Sequence, residues 1–141
     1  MLDLIQPIHP KLVHFPIALF MTALGLDSAS LIFKKEGLHK AAITIYMIAA
    51  IITPIVVRTG IWEEERFQLN HPVLNLHRLF ALWTMWVSLM SLPVLWFIKQ
   101  KSQKCFRIFF IILLIGIASL VTLTGHHGGR MVYEYGVGVE N

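Results

Sequence analysis

The chain has 141 residues, of which 56% are hydrophobic and 14% charged, and its mean hydropathy is +0.67. A water-soluble domain of this length cannot bury so much apolar surface, so the composition predicts one small membrane protein domain. The net charge of +4 suits contact with anionic lipid headgroups and does not indicate a nucleic-acid-binding surface, and the single cysteine, Cys105, excludes an internal disulfide.

Four apolar segments follow one another along the chain, over residues 12–33, 41–57, 79–98 and 108–125. Each is close to the roughly 20 residues that cross a hydrocarbon core as a helix. The connections between them are short, so neighbouring helices are expected to run antiparallel. The predicted fold is therefore an all-α integral membrane protein with an up-down four-helix transmembrane bundle.

The C-terminal stretch is rich in glycine, and we predict that Gly125, Gly128 and Gly129 end the fourth helix. Residues 131–139 are then expected to form a flap over the mouth of the bundle. Earlier in the chain, the run WEEER, residues 62–66, is interpreted as a solvated acidic loop, with docking of a basic electron carrier as the alternative.

Lysine and arginine set the expected orientation. Seven of them lie in or beside the loops 34–40 and 99–107, and five lie on the other side. The positive-inside rule then makes these two loops cytoplasmic and both termini outward, which in a bacterial inner membrane means periplasmic.

Histidines gather on the outward side in this topology. Only His39 falls on the cytoplasmic side, and the other six are His9, His14, His71, His77, His126 and His127. At 100° per residue, three of the six head stripes of small or weakly polar residues on their helices, which predicts that these stripes face the bundle interior. The three are His14, His77 and His126.

Haem b is the cofactor predicted for this cluster, because haem iron accepts imidazole nitrogen as an axial ligand. The first and third helices of an up-down bundle are diagonal, so His14 and His77 are the expected axial pair, with His126 as the substitute ligand. No CxxCH motif is present for covalent attachment. Arg58, Arg78 and Arg130 lie at the same rim and are candidate partners of the haem propionates or of lipid phosphate.

Two other interpretations stay open. Three imidazoles also suit a zinc or copper ion, although the chain has no HExxH motif. Alternatively, the histidines are structural and the protein is a non-redox membrane anchor or assembly subunit. Asp27, inside the first span on the face opposite His14, is a further candidate functional residue because carboxylates are rare in membrane helices.

The sequence resembles domain-of-unknown-function family 2231, small four-helix bacterial membrane proteins. The likeness rests on HPKLVHFPIAL near the start, Thr59-Gly60, the histidine that opens the third span, and GHHGGRMVYEYGVGV at the end. The positions that match the family motifs are His9, Pro10, His14, Phe15, Pro16, His77, Gly125, His126, Gly128, Gly129, Val132 and Tyr133. His127 stands where a less polar residue is usual and is given no role.

The resemblance implies a redox context, since some members of that family look fused or adjacent to cytochrome c or Rieske modules. We therefore expect an electron-transfer subunit rather than a stand-alone enzyme. Its expected partners are the lipid bilayer, other subunits of a membrane redox complex, quinone and cytochrome c. Tyr133 joins the three arginines as a candidate cofactor-binding residue.

Overall fold

The computed structural model describes residues 8–67, 71–101 and 103–136, and these form helices and their connections with no strand. A single helical turn, α1 (His9–Leu12), leads into α2 (His14–Phe33). Three longer helices follow: α3 (Glu36–Phe67), α4 (Pro72–Lys101) and α5 (Gln103–Tyr133). Four helical segments, with α1 and α2 counted as one, are long and apolar enough to cross a membrane, as predicted.

Each long helix packs against two others. Backbone neighbours join α2 to α3, α3 to α4, α4 to α5 and α5 back to α2, so α2 and α4, and α3 and α5, are diagonal within the described residues. Side chains still meet across the α3–α5 diagonal, as Tyr46 and Phe110 do. We call the end of the bundle that holds His9, Gly60, His77 and Gly128 the histidine end. We call the opposite end, which holds Lys34, Lys40, Lys99 and Arg107, the basic end.

The two hairpins, α2–α3 and α4–α5, repeat one plan with an offset of 68 residues. In the middle part of each helix, their buried positions correspond along both helices of each hairpin. On α2 and α4 the corresponding buried residues are Pro16, Phe20, Ala23 and Asp27, and Thr84, Ser88, Ser91 and Leu95. On α3 and α5 they are Ala42, Tyr46, Ala49, Ala50, Thr53 and Val56, and Phe110, Leu114, Ile117, Ala118, Val121 and Thr124. The bundle is therefore two similar hairpins packed together.

A buried polar pair joins α2 to α3 at the basic end. Lys34 takes a left-handed conformation at the end of α2, which lets α3 start within two residues and run back along α2. Asp27 and His39, 1% and 4% exposed, then lie side by side, with the His39 Nδ1 2.5 Å from the Asp27 Oδ1. The predicted importance of Asp27 thus has a structural basis, since a carboxylate in a membrane helix needs such a partner.

The centre of the bundle is apolar apart from Tyr46 and a few buried serine and threonine hydroxyls. Tyr46 is fully buried against Phe20 and Phe110, and its hydroxyl lies 2.6 Å from the Ser91 Oγ. The small-residue stripe headed by His77 therefore does face inward, because Thr84, Ser88 and Ser91 are all buried.

The other two stripes face outward, contrary to prediction. Below His14 the side chain of Met21 is 45% exposed and Ala18 and Gly25 are exposed, and below His126 Ser119 and Thr122 are exposed. The inward face of α2 carries Asp27 instead. Small residues in a membrane helix suit close helix contact, but they also occur on the lipid-facing side, so a stripe alone does not show which way a helix faces.

One predicted loop is helical and the predicted flap is helical in its first three residues. The helix α5 passes through Gly125, Gly128 and Gly129 and ends at Tyr133, so the glycines do not terminate it. Beyond it, Tyr135 stacks on His71 at a centroid distance of 4.4 Å, and residues 137–139 of the predicted flap lie outside the described residues. The acidic run 62–66 forms part of α3. In both places a continuous backbone hydrogen-bond ladder outweighs weak helix propensity or exposed charge.

Replacement of Asp27 or His39 by alanine should lower the thermal unfolding temperature of the purified protein strongly. Each single change leaves a buried polar group without its partner, which costs about 3–5 kcal/mol. The double variant should be less destabilised than the sum of the two, because the pair is one unit. His14→Ala, at an exposed position, is the control, and additive effects at Asp27 and His39 would contradict the pairing.

Candidate functional site: two imidazoles at the histidine end

The start of α1 is fixed by a carboxylate from α3. The backbone N–H groups of Ile8 and His9 donate to the Glu63 Oε1 at 2.6 and 2.8 Å, and α1 has no side-chain cap of its own. Unpaired N–H groups and a partial positive charge mark the beginning of every helix, so a buried carboxylate suits this position. Glu63 thereby sets where His9 enters the bundle.

The imidazole of His9 lies against a glycine on α3. Its Nδ1 is 3.0 Å from the Val56 carbonyl oxygen and 3.2 Å from the Thr59 hydroxyl. A β-carbon added at Gly60 would lie only 2.8 Å from the His9 Cε1. Only glycine therefore leaves room for the ring at this position.

His77 repeats this arrangement on α5. Its Nδ1 is 2.9 Å from the Thr124 carbonyl oxygen, and a β-carbon at Gly128 would lie 3.2 Å from its Cε1 and Nδ1. His77, Thr124 and Gly128 lie 68 residues after His9, Val56 and Gly60, so the two histidine sites correspond under the hairpin repeat. Each half of the chain supplies one imidazole in the same setting.

The spacing of the carbonyl and the glycine has a physical reason. Both glycines follow their carbonyl residue by four positions, Val56 to Gly60 and Thr124 to Gly128. Side chains in a helix lean toward its N-terminus, so residue i+4 normally covers the carbonyl of residue i. A glycine uncovers that oxygen, which then accepts a second hydrogen bond from the side, here from an imidazole.

The two rings meet where the hairpins face each other. Their centroids are 6.3 Å apart and their planes 84° apart. A carbonyl oxygen only accepts, so each Nδ1 must carry the proton, and in a neutral imidazole each Nε2 then keeps a free lone pair. Beneath the rings lies a cavity of about 40 Å³ between the helices, lined partly by Val13, Val56 and Ala81.

The predicted ligands are only partly brought together. His77 contacts His9, whereas His14 is exposed and its Nδ1 bonds the Pro10 carbonyl of the preceding turn at 2.8 Å. His126 is exposed beside His127. Among the described residues, no group of three or more His, Cys, Asp or Glu side chains is placed to hold a metal ion, so the three-imidazole zinc or copper site is not formed.

The predicted cofactor-binding residues lie around the same end. Arg58 and Tyr133 are exposed. Arg78 bonds Glu64 at 3.2 Å, and Arg130 bonds Glu134 of the next helical turn at 2.8 Å. Two of the three arginines are therefore already paired with carboxylates.

From the sequence, Gly60 was only part of a family motif, Glu63 was only part of the acidic run, and His9 was not placed among the ligands. The signal that was available is the repetition of a histidine and a glycine with the same separation, His9 and Gly60, then His77 and Gly128. It is a weak signal because only two residues in each half carry it.

Substitution of Gly60 by alanine should destabilise the protein by about 1–3 kcal/mol, because the new methyl group displaces the His9 ring from its carbonyl. Gly128→Ala should act in the same direction but less, since its closest ring contact is longer. Gly125→Ala and Gly129→Ala are matched controls on α5, where a β-carbon meets nothing within 4 Å. They should be neutral or slightly stabilising, as measured by thermal unfolding in detergent, and equal effects at all four glycines would contradict the ring contacts.

The chain matches no curated protein and no solved structure. A family model described as "Predicted membrane protein (DUF2231)" matches residues 5–141, nearly the whole chain. The four membrane-length helices agree with that description. The chain therefore belongs to the DUF2231 family of predicted membrane proteins.

Proposed function

We propose that this protein is a haem b-binding membrane subunit that transfers electrons between the quinone pool and a redox partner such as cytochrome c, with His9 and His77 as the axial ligands. The observation that carries the proposal is the matched setting of the two imidazoles. Each is held by its Nδ1 on a carbonyl, which is the usual outer contact of a metal-binding histidine. Each therefore keeps Nε2 for a ligand.

The donor set suits haem better than a bare ion. Zinc takes three or four protein ligands, whereas haem supplies its own equatorial nitrogens and needs two axial ones. The two rings lie at the same level of the bundle, with centroids 6.3 Å apart, so one ligand could reach both. The 40 Å³ cavity beneath the rings is far smaller than an ordinary cofactor site of roughly 300–1,000 Å³. Binding therefore requires the helices to part at the histidine end.

The three arginines near the histidine end differ in whether they are free to pair with a haem propionate. Arg58 is the proposed partner of a haem propionate, because it is exposed near the histidine end and forms no ion pair among the described residues, whereas Arg78 and Arg130 already bond carboxylates. The electron-transfer role and the membership of a larger redox complex rest on the modules associated with the resembled family. When bound, haem supplies one-electron chemistry, and the chain supplies the ligands and their orientation.

A second candidate is a non-redox membrane anchor or assembly subunit. It is favoured by the fact that each imidazole already joins neighbouring elements of the bundle and that little space separates the helices beneath them. In that case the histidines serve packing alone.

The reduced protein, purified at full length from cells supplied with haem, should show the sharp α-band of six-coordinate low-spin haem b. His9→Gln and His77→Gln should abolish or convert that band, because a carboxamide can still donate to the carbonyl but is a poor haem ligand. Unfolding temperature measured on the same samples separates ligand loss from misfolding. His14→Gln, at an exposed position, is the control and should keep the band. A colourless wild-type protein would leave the anchor function in place of haem binding.

We further propose an inner-membrane location with both termini periplasmic, on the basis of the lysine and arginine distribution. Reporter fusions at Asn141 and in the loop 100–104 should then report opposite sides, with Asn141 outside. A cytoplasmic Asn141 would put the histidine end on the cytoplasmic side.

A further inference from the structure

The basic end contains a second cavity, which the haem proposal does not use. It measures about 400 Å³ and lies between the start of α3, the end of α4 and the start of α5. This volume is within the range of small-molecule and headgroup sites. The residues that matter for its chemistry are Glu36, His39, Lys40, Lys99, Phe106 and Arg107. We call this cavity the basic pocket.

Positive charge dominates the basic pocket. Lys40, Lys99 and Arg107 face a single carboxylate, Glu36, and that carboxylate already accepts from the Arg107 Nη1 at 3.1 Å. Within the described part of the chain neither Lys40 nor Lys99 forms an ion pair within 4.0 Å. Two ammonium groups therefore line the pocket without a counter-charge, which favours an anionic occupant.

Specific side-chain contacts hold the inner wall of the basic pocket in place. His39 is 4% exposed, is held by Asp27 and packs edge-on against Phe106. Arg107 donates through its Nη2 to the Ser30 hydroxyl at 3.1 Å, while its buried Nε has no hydrogen-bond partner. The wall thus holds the His39 imidazole and the Arg107 guanidinium in place, and the Arg107 Nε lacks an acceptor.

The level of the basic pocket along the helices indicates the source of the anion. Trp96, one turn before Lys99 on α4, is exposed, and so are Phe97 and Ile32 near the same end. Tryptophan beside lysine at the end of an apolar helix is typical of the headgroup layer of a bilayer. Basic pockets between membrane helices at this level suit phospholipid headgroups.

We propose that the basic pocket binds a phosphate group, supplied by the headgroup of an anionic phospholipid, through Lys40, Lys99 and Arg107. The lysine ammonium groups act as point charges on the phosphate, and the guanidinium, whose Nη1 and Nη2 already donate to Glu36 and Ser30, adds a third positive charge and its remaining N–H groups. The site is independent of haem, because it lies at the opposite end of the bundle from His9 and His77.

The test uses full-length protein in vesicles of equal parts phosphatidylcholine and phosphatidylglycerol, followed by native mass spectrometry of the lipid that stays bound after extraction. Wild type should retain phosphatidylglycerol in preference to phosphatidylcholine. Lys40→Gln/Lys99→Gln should reduce the retained phosphatidylglycerol by about tenfold or more. Lys34→Gln/Lys35→Gln removes the same charge from the same end without touching the pocket lining, and should stay within about twofold of wild type.

A parallel arm with inorganic phosphate identifies the source. If phosphate raises the unfolding temperature of wild type in phosphatidylcholine alone, but not that of Lys40→Gln/Lys99→Gln, and no phosphatidylglycerol is retained, the pocket takes free phosphate and the lipid assignment is wrong. If both double variants lost the same amount of retained phosphatidylglycerol, general surface charge would explain the binding and the pocket would not be the site. Absence of both lipid and phosphate binding would overturn the site.

Discussion

A hydrogen bond from an imidazole to a backbone carbonyl, made once in each half of the chain, sets the geometry of the histidine end. The carbonyl is available only because a glycine follows it by four residues, and the ring fits only because that glycine has no side chain. In a membrane, apolar packing between helices is weakly directional, so polar contacts of this kind define register. Comparable contacts join α2 to α3 through Asp27 and His39, and α3 to α4 through Tyr46 and Ser91.

The helices were predictable because a membrane span needs only length and hydropathy, which are local properties of the sequence. Which face of a helix points inward was predictable only where that face carries a residue that cannot be exposed to lipid. Asp27 had to point inward, and His14, on the opposite face of the same helix, therefore had to point outward. Asp27 therefore indicates the face of α2 more strongly than the small-residue stripe does, because a carboxylate that faces lipid costs more free energy than a glycine or alanine there.

The partners of the histidines were not predictable in the same way. Each ring bonds a backbone carbonyl 47 residues away. Every residue has such a carbonyl, so the sequence does not indicate which one accepts the bond. Glycine inside a helix is usually taken as a break, so Gly60 and Gly128 did not indicate ring contacts. Glu63 stands in an acidic run that suggests a solvated loop, and only the approach of the His9 backbone shows why one of its carboxylates is buried. The hairpin repeat is hidden as well, since matching positions such as Tyr46 and Leu114 share burial but not chemistry.

Joining helices and binding a ligand are compatible tasks for His9 and His77. The bond at Nδ1 holds the ring between two elements of the bundle, and the same bond fixes the tautomer that leaves Nε2 with its lone pair. A histidine that served packing alone would need only the first of these properties. Two hairpins that repeat the same ring, carbonyl and glycine bring two such Nε2-bearing rings together at the interface between the repeats, which is where membrane proteins built from repeats commonly place their binding sites.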